Sequence, residues 1–299
     1  MEIFKEKIGN TGIKLPIIKF GSGRPKVLIL ACQHGSEHSP LKIVKEILEK
    51  KGEIKGQITI LPVANPLGLE KNMRNEPISN QNLNRSFPGN ASGNVADQIA
   101  YFIFQLSLKQ DLVIDLHAFS QRQSPFMTGY ECNDQKVKEK IKKVIQCLRP
   151  DLVWQVNPEN EEDKRFKGSL DGQLSLKGIP SVFLEMPNLH LIEKKMIERI
   201  TEGIIKAVNN FGKEVEEMEI KQYNSQTLYS ERLGLFEAKV KILTEVKKGE
   251  IIGEMTNVEN FNKTKIVSPA DSTVLTVLEK GTVKEGDKLA SLGTNQTVL

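Results

Sequence analysis

The sequence VLILACQHGSE, residues 27–37, joins a short apolar run to a polar turn. Residues 27–31 are leucine-rich and β-branched and are bounded by Gly and Pro before them and by polar residues after them, which predicts an interior strand. Ser39 and Pro40 then predict a helix cap followed by proline at the first helical position. Apolar residues continue that helix at helical spacing: Leu41, Val44, Ile47 and Leu48. The segment therefore predicts a strand, a polar turn and a helix in succession.

The same alternation continues along the first two thirds of the chain. Further strands are predicted at residues 57–63, 112–116 and 181–184, and further helices around residues 94–106, 137–148 and 192–204. Asn94, with Asp97 three residues on, predicts the start of the first of these helices. Strands that alternate with helices are typical of a mostly parallel or mixed sheet with helices on both faces. The sequence therefore predicts an α/β fold.

The pattern changes near residue 215, where an acidic run is followed by short predicted strands with Gly and Asp turns. Residues 246–250, VKKGE, resemble residues 283–287, VKEGD, and each run is followed by a short apolar segment. Two copies of strand, turn and strand indicate a small two-fold β-sandwich or barrel. We predict an α/β domain over residues 1–215 and an all-β domain over residues 222–299.

Composition excludes several classes of protein. The chain has 299 residues, 42 Lys and Arg against 38 Asp and Glu, and a formal charge of +4, which excludes a strongly basic nucleic-acid or membrane-surface binder. Its three cysteines have no CxxC spacing, so a reducing cytoplasm is the expected location. No apolar run approaches the ~20 residues of a membrane span, and the N-terminus lacks a signal-peptide core. We expect a cytoplasmic protein without nucleic-acid or membrane partners.

Three residues are candidate metal ligands. His34 and Glu37 follow the first predicted strand, and His117 follows the strand at residues 112–116. Ligand sites in open α/β sheets form at the carboxyl ends of strands. Catalytic zinc takes three protein ligands, including His nitrogen and carboxylate oxygen, and keeps a position for water. An ordinary polar turn and a hydrogen-bonded structural histidine are the alternatives.

Polar residues elsewhere extend this candidate site. The irregular stretch from about residue 68 to residue 93 contains Arg74, Asn84 and Arg85, and arginine binds carboxylates through two hydrogen bonds. Such groups beside a metal suit a substrate with a free carboxylate and a carbonyl to be polarised, whereas the alternative is a solvated loop. Glu185 follows the apolar strand at residues 181–184. It is a candidate general base, with a surface residue or a partner of Arg85 as alternatives.

Taken in order, these motifs resemble those of the succinylglutamate desuccinylase/aspartoacylase family of the zinc carboxypeptidase superfamily. The resemblance lies in HGSE (34–37), NPLG (65–68), NRSFPG (84–89) and DLH (115–117) together with the strand-end glutamate, and it covers almost the whole chain. It implies that one Zn²⁺ is bound by His34, Glu37 and His117. The implied reaction is hydrolysis of an amide bond in a small carboxylate-bearing substrate.

The resemblance also implies the remaining roles. Arg74 would polarise the scissile carbonyl and hold the oxyanion, Asn84 and Arg85 would hold the substrate carboxylate, and Glu185 would move the proton. One position departs from the family, because members commonly carry Asp where this chain has Asn82, two residues before the Asn-Arg pair. Asn82 can still accept a hydrogen bond from His34, but without the charge that raises ligand basicity, so weaker zinc binding is expected.

Several alternatives stay open. The chain could be a zinc carboxypeptidase acting on short peptides, or an inactive ligand-binding relative of the enzymes. The repeat in the β-rich part resembles biotinyl/lipoyl carrier domains, which need a modifiable lysine at the turn between the halves, and Lys263 and Lys265 are the candidates there. A homo-oligomer is also open. His38 is interpreted as a structural or rim residue, and Cys32 as a small buried hydrophobe that is not a ligand. His190 is favoured as an ordinary loop residue, with a place in the lining of the site as the alternative, and Tyr130 is a candidate phenol near the substrate.

Overall fold

The computed structural model describes residues 1–119, 122–132, 134–156 and 166–299. Its six helices are α1 (Ser39–Glu49), α2 (Pro66–Glu70), α3 (Val95–Ser107), α4 (Gln135–Leu148), α5 (Leu170–Ser175) and α6 (Lys194–Asn209). Its strands are β1 (Glu2–Lys7), β2 (Lys14–Ser22), β3 (Lys26–Ala31), β4 (Gly56–Leu61), β5 (Leu112–Phe119), β6 (Arg122–Gln123), β7 (Met127–Tyr130), β8 (Leu152–Gln155), β9 (Ser181–Pro187), β10 (Lys221–Tyr229), β11 (Gly234–Ala238), β12 (Glu245–Val246), β13 (Ile251–Asn257), β14 (Lys263–Val267), β15 (Ser272–Leu278), β16 (Lys280–Val283) and β17 (Lys288–Val298).

The predicted interior strand, β3, lies inside a 13-stranded mixed sheet, between β4 and β5. Its side chains alternate between two apolar cores, with Val27 and Ile29 on one face and Leu28 and Leu30 on the other. Helices α1, α4 and α6 supply the first core, and α3 and α5 the second. Because both faces are covered, the strand is apolar throughout. The predicted α/β fold with helices on both faces is confirmed.

The order of the strands creates a crevice where β3 ends. Strand β3 pairs in parallel with β4 on one side and with β5 on the other. The connection from β3 to β4 contains α1, and the connection from β4 to β5 contains α3, which covers the opposite face. Two connections that leave toward opposite faces open a gap at the carboxyl end of the sheet, which is the usual ligand position in such folds.

Local differences from the sequence predictions have identifiable causes. Ser39 is the first residue of α1 rather than its cap, because its hydroxyl donates to the carbonyl oxygen of Pro187 at 2.7 Å. Asn94 and Asp97 form the predicted capping box of α3. Strand β9 does not end before Glu185 but continues to Pro187, paired with β5. The paired edge therefore extends beyond the apolar runs from which the two strands were predicted.

Strands after residue 220 extend the large sheet and build a second one. Strand β10 pairs in parallel with β8, and β17, β15 and β12 follow it in the large sheet. The second sheet has the order β14-β13-β11-β16. The proposed division into residues 1–215 and 222–299 stays a prediction. Among the described residues, no helix is both long and apolar enough to cross a membrane.

The two sequence repeats form two nearly identical turns. In the first, the backbone N–H of Lys247 donates to the Glu250 carboxylate at 2.9 Å, and in the second that of Lys284 donates to the Asp287 carboxylate at 2.9 Å. The glycine of each turn has a positive φ, +85° at Gly249 and +81° at Gly286, which disfavours a side chain there. The internal repeat predicted from the sequence is thus present as repeated turn geometry.

Candidate active site

Three buried side chains meet where β3 and β5 end. His34 and Glu37 lie in the turn between β3 and α1, and His117 lies near the end of β5. The Nδ1 atom of His34 is 2.8 Å from Oε1 of Glu37, and Nδ1 of His117 is 3.0 Å from Oε2 of the same carboxylate. Each of the three residues is no more than 3% exposed.

The tight turn depends on Gly35. A Cβ atom at this position would lie 1.9 Å from the carbonyl carbon of Gly68, a backbone atom of α2. No side chain fits in that space, so glycine lets the turn that carries His34 and Glu37 pack directly against α2.

The three donors fit a zinc ion. One ligand atom from each of His34, Glu37 and His117 lies within 4.8 Å of the other two. Ligand atoms that share one zinc are about 3.3 Å apart, because each is about 2.0–2.1 Å from the metal in a tetrahedral arrangement. Small adjustments of buried side chains therefore satisfy this geometry, and two imidazoles with one carboxylate are a donor set that zinc accepts in catalytic sites.

Hydrogen bonds behind the imidazoles orient them toward this point. The Nε2 atom of His34 donates to Oδ1 of Asn82 at 2.9 Å, and Nε2 of His117 donates to Oδ2 of Asp115 at 2.9 Å. Both Nδ1 atoms are thereby directed at Glu37. Partners of this kind fix the tautomer and the ring orientation of metal-binding histidines. The contact of Asn82 is the one expected from the sequence, whereas the role of Asp115 was not predicted.

The electrostatics of the cluster favour positive charge. Burial alone would raise the pKa of Glu37, but His34 and His117 hold it well below its usual value. Burial lowers the pKa of His34, whereas Asp115 and Glu37 overcome the burial of His117 and raise its pKa well above the ordinary value. A carboxylate that stays ionised in a buried site requires a nearby cation, which is the charge that a metal ion brings.

The predicted polar residues of the irregular stretch border the same cluster. The guanidinium of Arg74 donates to Oε1 of Glu37 at 2.8 Å, although its side chain is 53% exposed. The amide nitrogen of Asn84 lies 3.3 Å from Nε2 of His117, and its oxygen accepts from the backbone N–H of Leu170 at 2.9 Å. Arg85 donates to the carbonyl oxygen of Asn84. The stretch is thus folded against the cluster, with a 3₁₀ turn at Leu83–Arg85.

A single cavity of about 340 Å³ brings the seven predicted residues together. Its described lining includes His34, Glu37, His117, Arg74, Asn84, Arg85 and Glu185. Glu185 reaches it from β9, where it is the register partner of His117 in β5. Parallel pairing at matched register places the two side chains on the same face of the sheet.

Other lining residues were missed by the sequence analysis. An aromatic wall contains Trp154, whose ring contacts those of Phe166 and Phe183 edge-on at centroid distances of 5.1 and 6.0 Å. Asp171 at the start of α5 and Lys288 at the start of β17 also line the cavity. Buried aromatic residues and lone carboxylates are ordinary features of a core or a helix start, so nothing in their local sequence distinguishes them.

Four other residues that the sequence singled out lie elsewhere. Tyr130 is fully buried in the main core, is absent from the described lining of the cavity, and has a pKa raised to about 12 chiefly by burial. The hypothesis of a substrate-contacting phenol is therefore wrong. His38 bonds to the carbonyl oxygen of Gly35 at 3.0 Å, and it lines a separate groove with His190. Cys32 is a buried thiol, as expected.

Comparisons with known proteins agree with this fold. N-alpha-acetyl-L-2,4-diaminobutyric acid deacetylase from Halomonas elongata is 32% identical over 113 residues, covering 37% of this chain but only 33% of that relative. The product-bound structure of the ectoine utilization protein EutE (DoeB) from Ruegeria pomeroyi has a TM-score of 0.82 at 21% identity, covering 98% of this chain and 94% of that one. A metallo-carboxypeptidase from Burkholderia cenocepacia shares the core of the fold, with a TM-score of 0.56 at 15% identity over 69% of this chain and 63% of that one. The profile of the succinylglutamate desuccinylase/aspartoacylase catalytic domain matches residues 23–209, more than half of the sequence, and the chain therefore belongs to that family.

Proposed function

We propose that this protein is a zinc-dependent hydrolase that cleaves an amide bond in a small carboxylate-bearing substrate, such as an N-acyl amino acid. The observation that carries the proposal is the convergence of His34, Glu37 and His117 within 4.8 Å, inside a cavity that Arg74 and Glu185 also line. Family membership and the deacetylase named among its relatives support the same reaction class.

The chain's own groups account for the steps of hydrolysis. His34, Glu37 and His117 would hold the Zn²⁺, which supplies Lewis-acid chemistry by lowering the pKa of water and polarising a carbonyl oxygen. Glu185 takes a proton from a water molecule, and the oxygen of that water molecule bonds to the acyl carbon. As the carbon–nitrogen bond breaks, Glu185 returns the proton to the leaving nitrogen, giving a free amine and a carboxylic acid, which then loses its own proton to solvent.

Two further groups orient the substrate and stabilise charge. Arg74 neutralises the oxyanion that develops on the former carbonyl oxygen, and a fixed cation at this point favours the transition state over the ground state. Its present partner, Glu37, holds it beside the metal-binding cluster. Arg85 and Asn84 bind the substrate's carboxylate, because guanidinium and amide N–H groups donate to carboxylate oxygens.

A carboxypeptidase acting on short peptides is the second candidate, favoured by the likeness of the fold to a metallo-carboxypeptidase. Cavity size argues for the smaller substrates. The cavity within the described lining has a volume of about 340 Å³, and residues 286–288 and 291 from the β-rich part form one side of it. A volume near the lower end of ordinary small-molecule sites leaves little room for a peptide.

Two broader expectations belong to this proposal. A cytoplasmic location agrees with three cysteines that are all free in the described structure. A carrier role is disfavoured because Lys263 and Lys265 lie in β14, paired with Thr256 and Glu254, instead of at the tip of a turn.

The decisive experiment measures amine release by the zinc-loaded protein from N-acetyl and N-succinyl amino acids, with short unblocked peptides in parallel. We expect hydrolysis of the acyl amino acids, and turnover of peptides alone would establish the carboxypeptidase instead.

Glu185→Gln should retain one zinc per chain, measured by elemental analysis, and lose most of the activity. Glu193→Gln, an exposed change at the start of α6, is the matched control. Unchanged turnover in Glu185→Gln would remove Glu185 as the base, and a zinc-loaded chain without turnover would identify an inactive relative.

A further inference from the structure

The aromatic wall of the cavity is built across three neighbouring strands. Gly129 in β7 is the register partner of Phe183 in β9 and of Trp154 in β8. Residues that lie opposite one another in paired strands share one face of a sheet, and here both rings line the cavity. A Cβ atom at Gly129 would lie 2.0 Å from Cζ of Phe183, so the glycine provides the space in which that ring lies. The backbone of the sheet therefore fixes the position of the wall.

The rings of the wall lie outside the apolar cores formed by the described residues. In β9, Leu184 belongs to the main core, whereas Phe183 and Glu185 on either side of it line the cavity. Phe183 is buried, but Trp154 and Phe166 are only half-buried at the edge of the cavity. Apolar surface in contact with water is unfavourable until an apolar group covers it. The wall therefore suits an apolar part of a substrate.

The wall extends from the candidate base to the candidate carboxylate-binding residues. At one end, Phe183 lies two residues before Glu185 on the same face of β9, about 7 Å along the strand. At the other end, Cζ of Arg85 lies 4.9 Å from the centroid of the Phe166 ring. Trp154 lies between the two phenylalanines and contacts both edge-on. A continuous series of rings thus joins the reacting end of the site to its carboxylate-binding end.

The covalent structure of an N-acyl amino acid relates these two ends to each other. Its carboxylate, its scissile nitrogen and its side chain are all bonded to one carbon atom. With the carboxylate at Arg85 and the nitrogen near Glu185, this carbon lies beside the wall, and its side chain is the group left to contact the rings. The acyl group lies on the other side of the scissile bond, toward the metal-binding cluster and Arg74.

We propose that the aromatic wall binds the side chain of the substrate's amino acid, and that the substrates are N-acyl amino acids with apolar side chains, aromatic or branched aliphatic. A charged side chain placed against the rings would lose its hydration without a compensating charge. This inference rests on the proposed function and adds to it the polarity of the substrate's side chain.

The test compares substrates of nearly equal shape. N-acetylleucine and N-acetylaspartate have side chains with the same branching but different polarity, and N-acetylphenylalanine and N-acetylalanine add a large and a small apolar member. We expect kcat/KM for the leucine and phenylalanine compounds to be about 10- to 100-fold above that for the other two, because burial of such a side chain is worth about this factor. An equal or higher value for N-acetylaspartate would overturn the proposal, as would a preference that follows the length of the acyl chain on alanine instead of the side chain.

Variants of the wall should change the selectivity. Trp154→Ala should reduce the ratio of kcat/KM for N-acetylphenylalanine to that for N-acetylalanine about tenfold, mainly through KM for the former. Phe166→Ala lies outside the strands of the sheet and should act in the same direction. Phe102→Ala removes a half-buried ring from α3, outside the described cavity lining, and as the matched control it should keep the ratio. A ratio that is unchanged in both wall variants would contradict the assignment.

Fluorescence separates binding at the wall from turnover. Trp154 is the one tryptophan of the chain, so tryptophan emission reports on groups that contact the wall. Titration of the zinc-loaded protein with free leucine should change this emission at concentrations about tenfold or more below those needed with free aspartate. This preference without hydrolysis of any amide would support the wall as a side-chain site and refute the proposed reaction. Hydrolysis or binding with no preference for apolar side chains would overturn the role of the wall.

Discussion

Replacing Asn82 by Asp should strengthen zinc binding. The side-chain oxygen of Asn82 accepts from Nε2 of His34 at 2.9 Å and from the backbone N–H of Asn84 at 3.0 Å. Both contacts use the same oxygen atom, so a carboxylate of nearly equal shape can keep them. The substitution then adds a negative charge directly behind one imidazole and makes that imidazole a more basic ligand.

The expected magnitude follows from the position of the residue. Changes at partners of metal-binding histidines alter affinity about 10–100-fold, or about 1.4–2.8 kcal/mol. His34 is only 3% exposed, so the hydrogen bond itself is shielded, but Asn82 is half-buried and part of the added charge is screened by water. We therefore expect an increase near the lower end, about 10- to 30-fold.

Competition with a fluorescent zinc chelator of known affinity measures this change directly. Asn80→Asp adds the same charge to the same loop at an exposed position, and it controls for general attraction of the cation. Asn80→Asp should change the affinity less than about twofold because its charge is solvated. Equal affinities in the wild type and Asn82→Asp, or equal gains in the two variants, would refute the argument that the charge acts through His34.

Three other outcomes are expected. Arg85→Ala should raise KM about 10–100-fold for carboxylate substrates but hardly at all for their carboxamides, because a charge-assisted hydrogen bond is lost only with the former; equal effects in steady-state kinetics would exclude the contact. Gly35→Ala should destabilise the fold by about 3 kcal/mol or more in denaturant unfolding, since its Cβ would meet the backbone at 1.9 Å, whereas Gly52→Ala, with nothing within 4 Å, should be nearly neutral. Burial raises the pKa of the Asp171 carboxyl above its value in the unfolded chain. The ionised carboxylate therefore lowers the free energy of unfolding, and this loss develops as pH rises through the folded pKa. Asp171→Asn should therefore increase the free energy of unfolding at pH 7 but not below about pH 3, and a constant difference across that range would contradict the cause.

The sequence was sufficient where local patterns decide the structure. Strand β3 was predictable because a strand buried on both faces must be continuously apolar, and the capping box of α3 because two side chains three residues apart satisfy it. Ser39 was misplaced because its hydroxyl bonds to Pro187, a residue 148 positions away. Contacts across such distances leave no trace in the local sequence.

The same distinction applies to the candidate site. His34, Glu37 and His117 follow or end predicted strands, so the rule that sites form at carboxyl edges was enough to group them. Asp171 and Lys288 come from a short helix and from the β-rich part, and they reach the cavity only through tertiary packing. Position relative to the sheet was enough to group the candidate metal ligands, whereas the other residues that line the cavity depend on how distant segments fold back.

The two repeated turns of the β-rich part have the same backbone geometry but differ in their position relative to the cavity. Beyond the shared carboxylate contacts, Gly249 and Gly286 each donate to a serine carbonyl oxygen at 2.8 Å, that of Ser268 in the first turn and that of Ser230 in the second. Of the two turns, the second is the one found in the described lining of the cavity, and Lys288 occupies the position there that Ile251 has in the first repeat. The hydrogen bonds that form the turn involve neither of these positions. The residue after the turn can therefore differ between the two copies while the turn keeps its geometry. The two copies thus share the hydrogen bonds of the turn, and the residue that follows the turn is a lysine in the copy that lines the cavity.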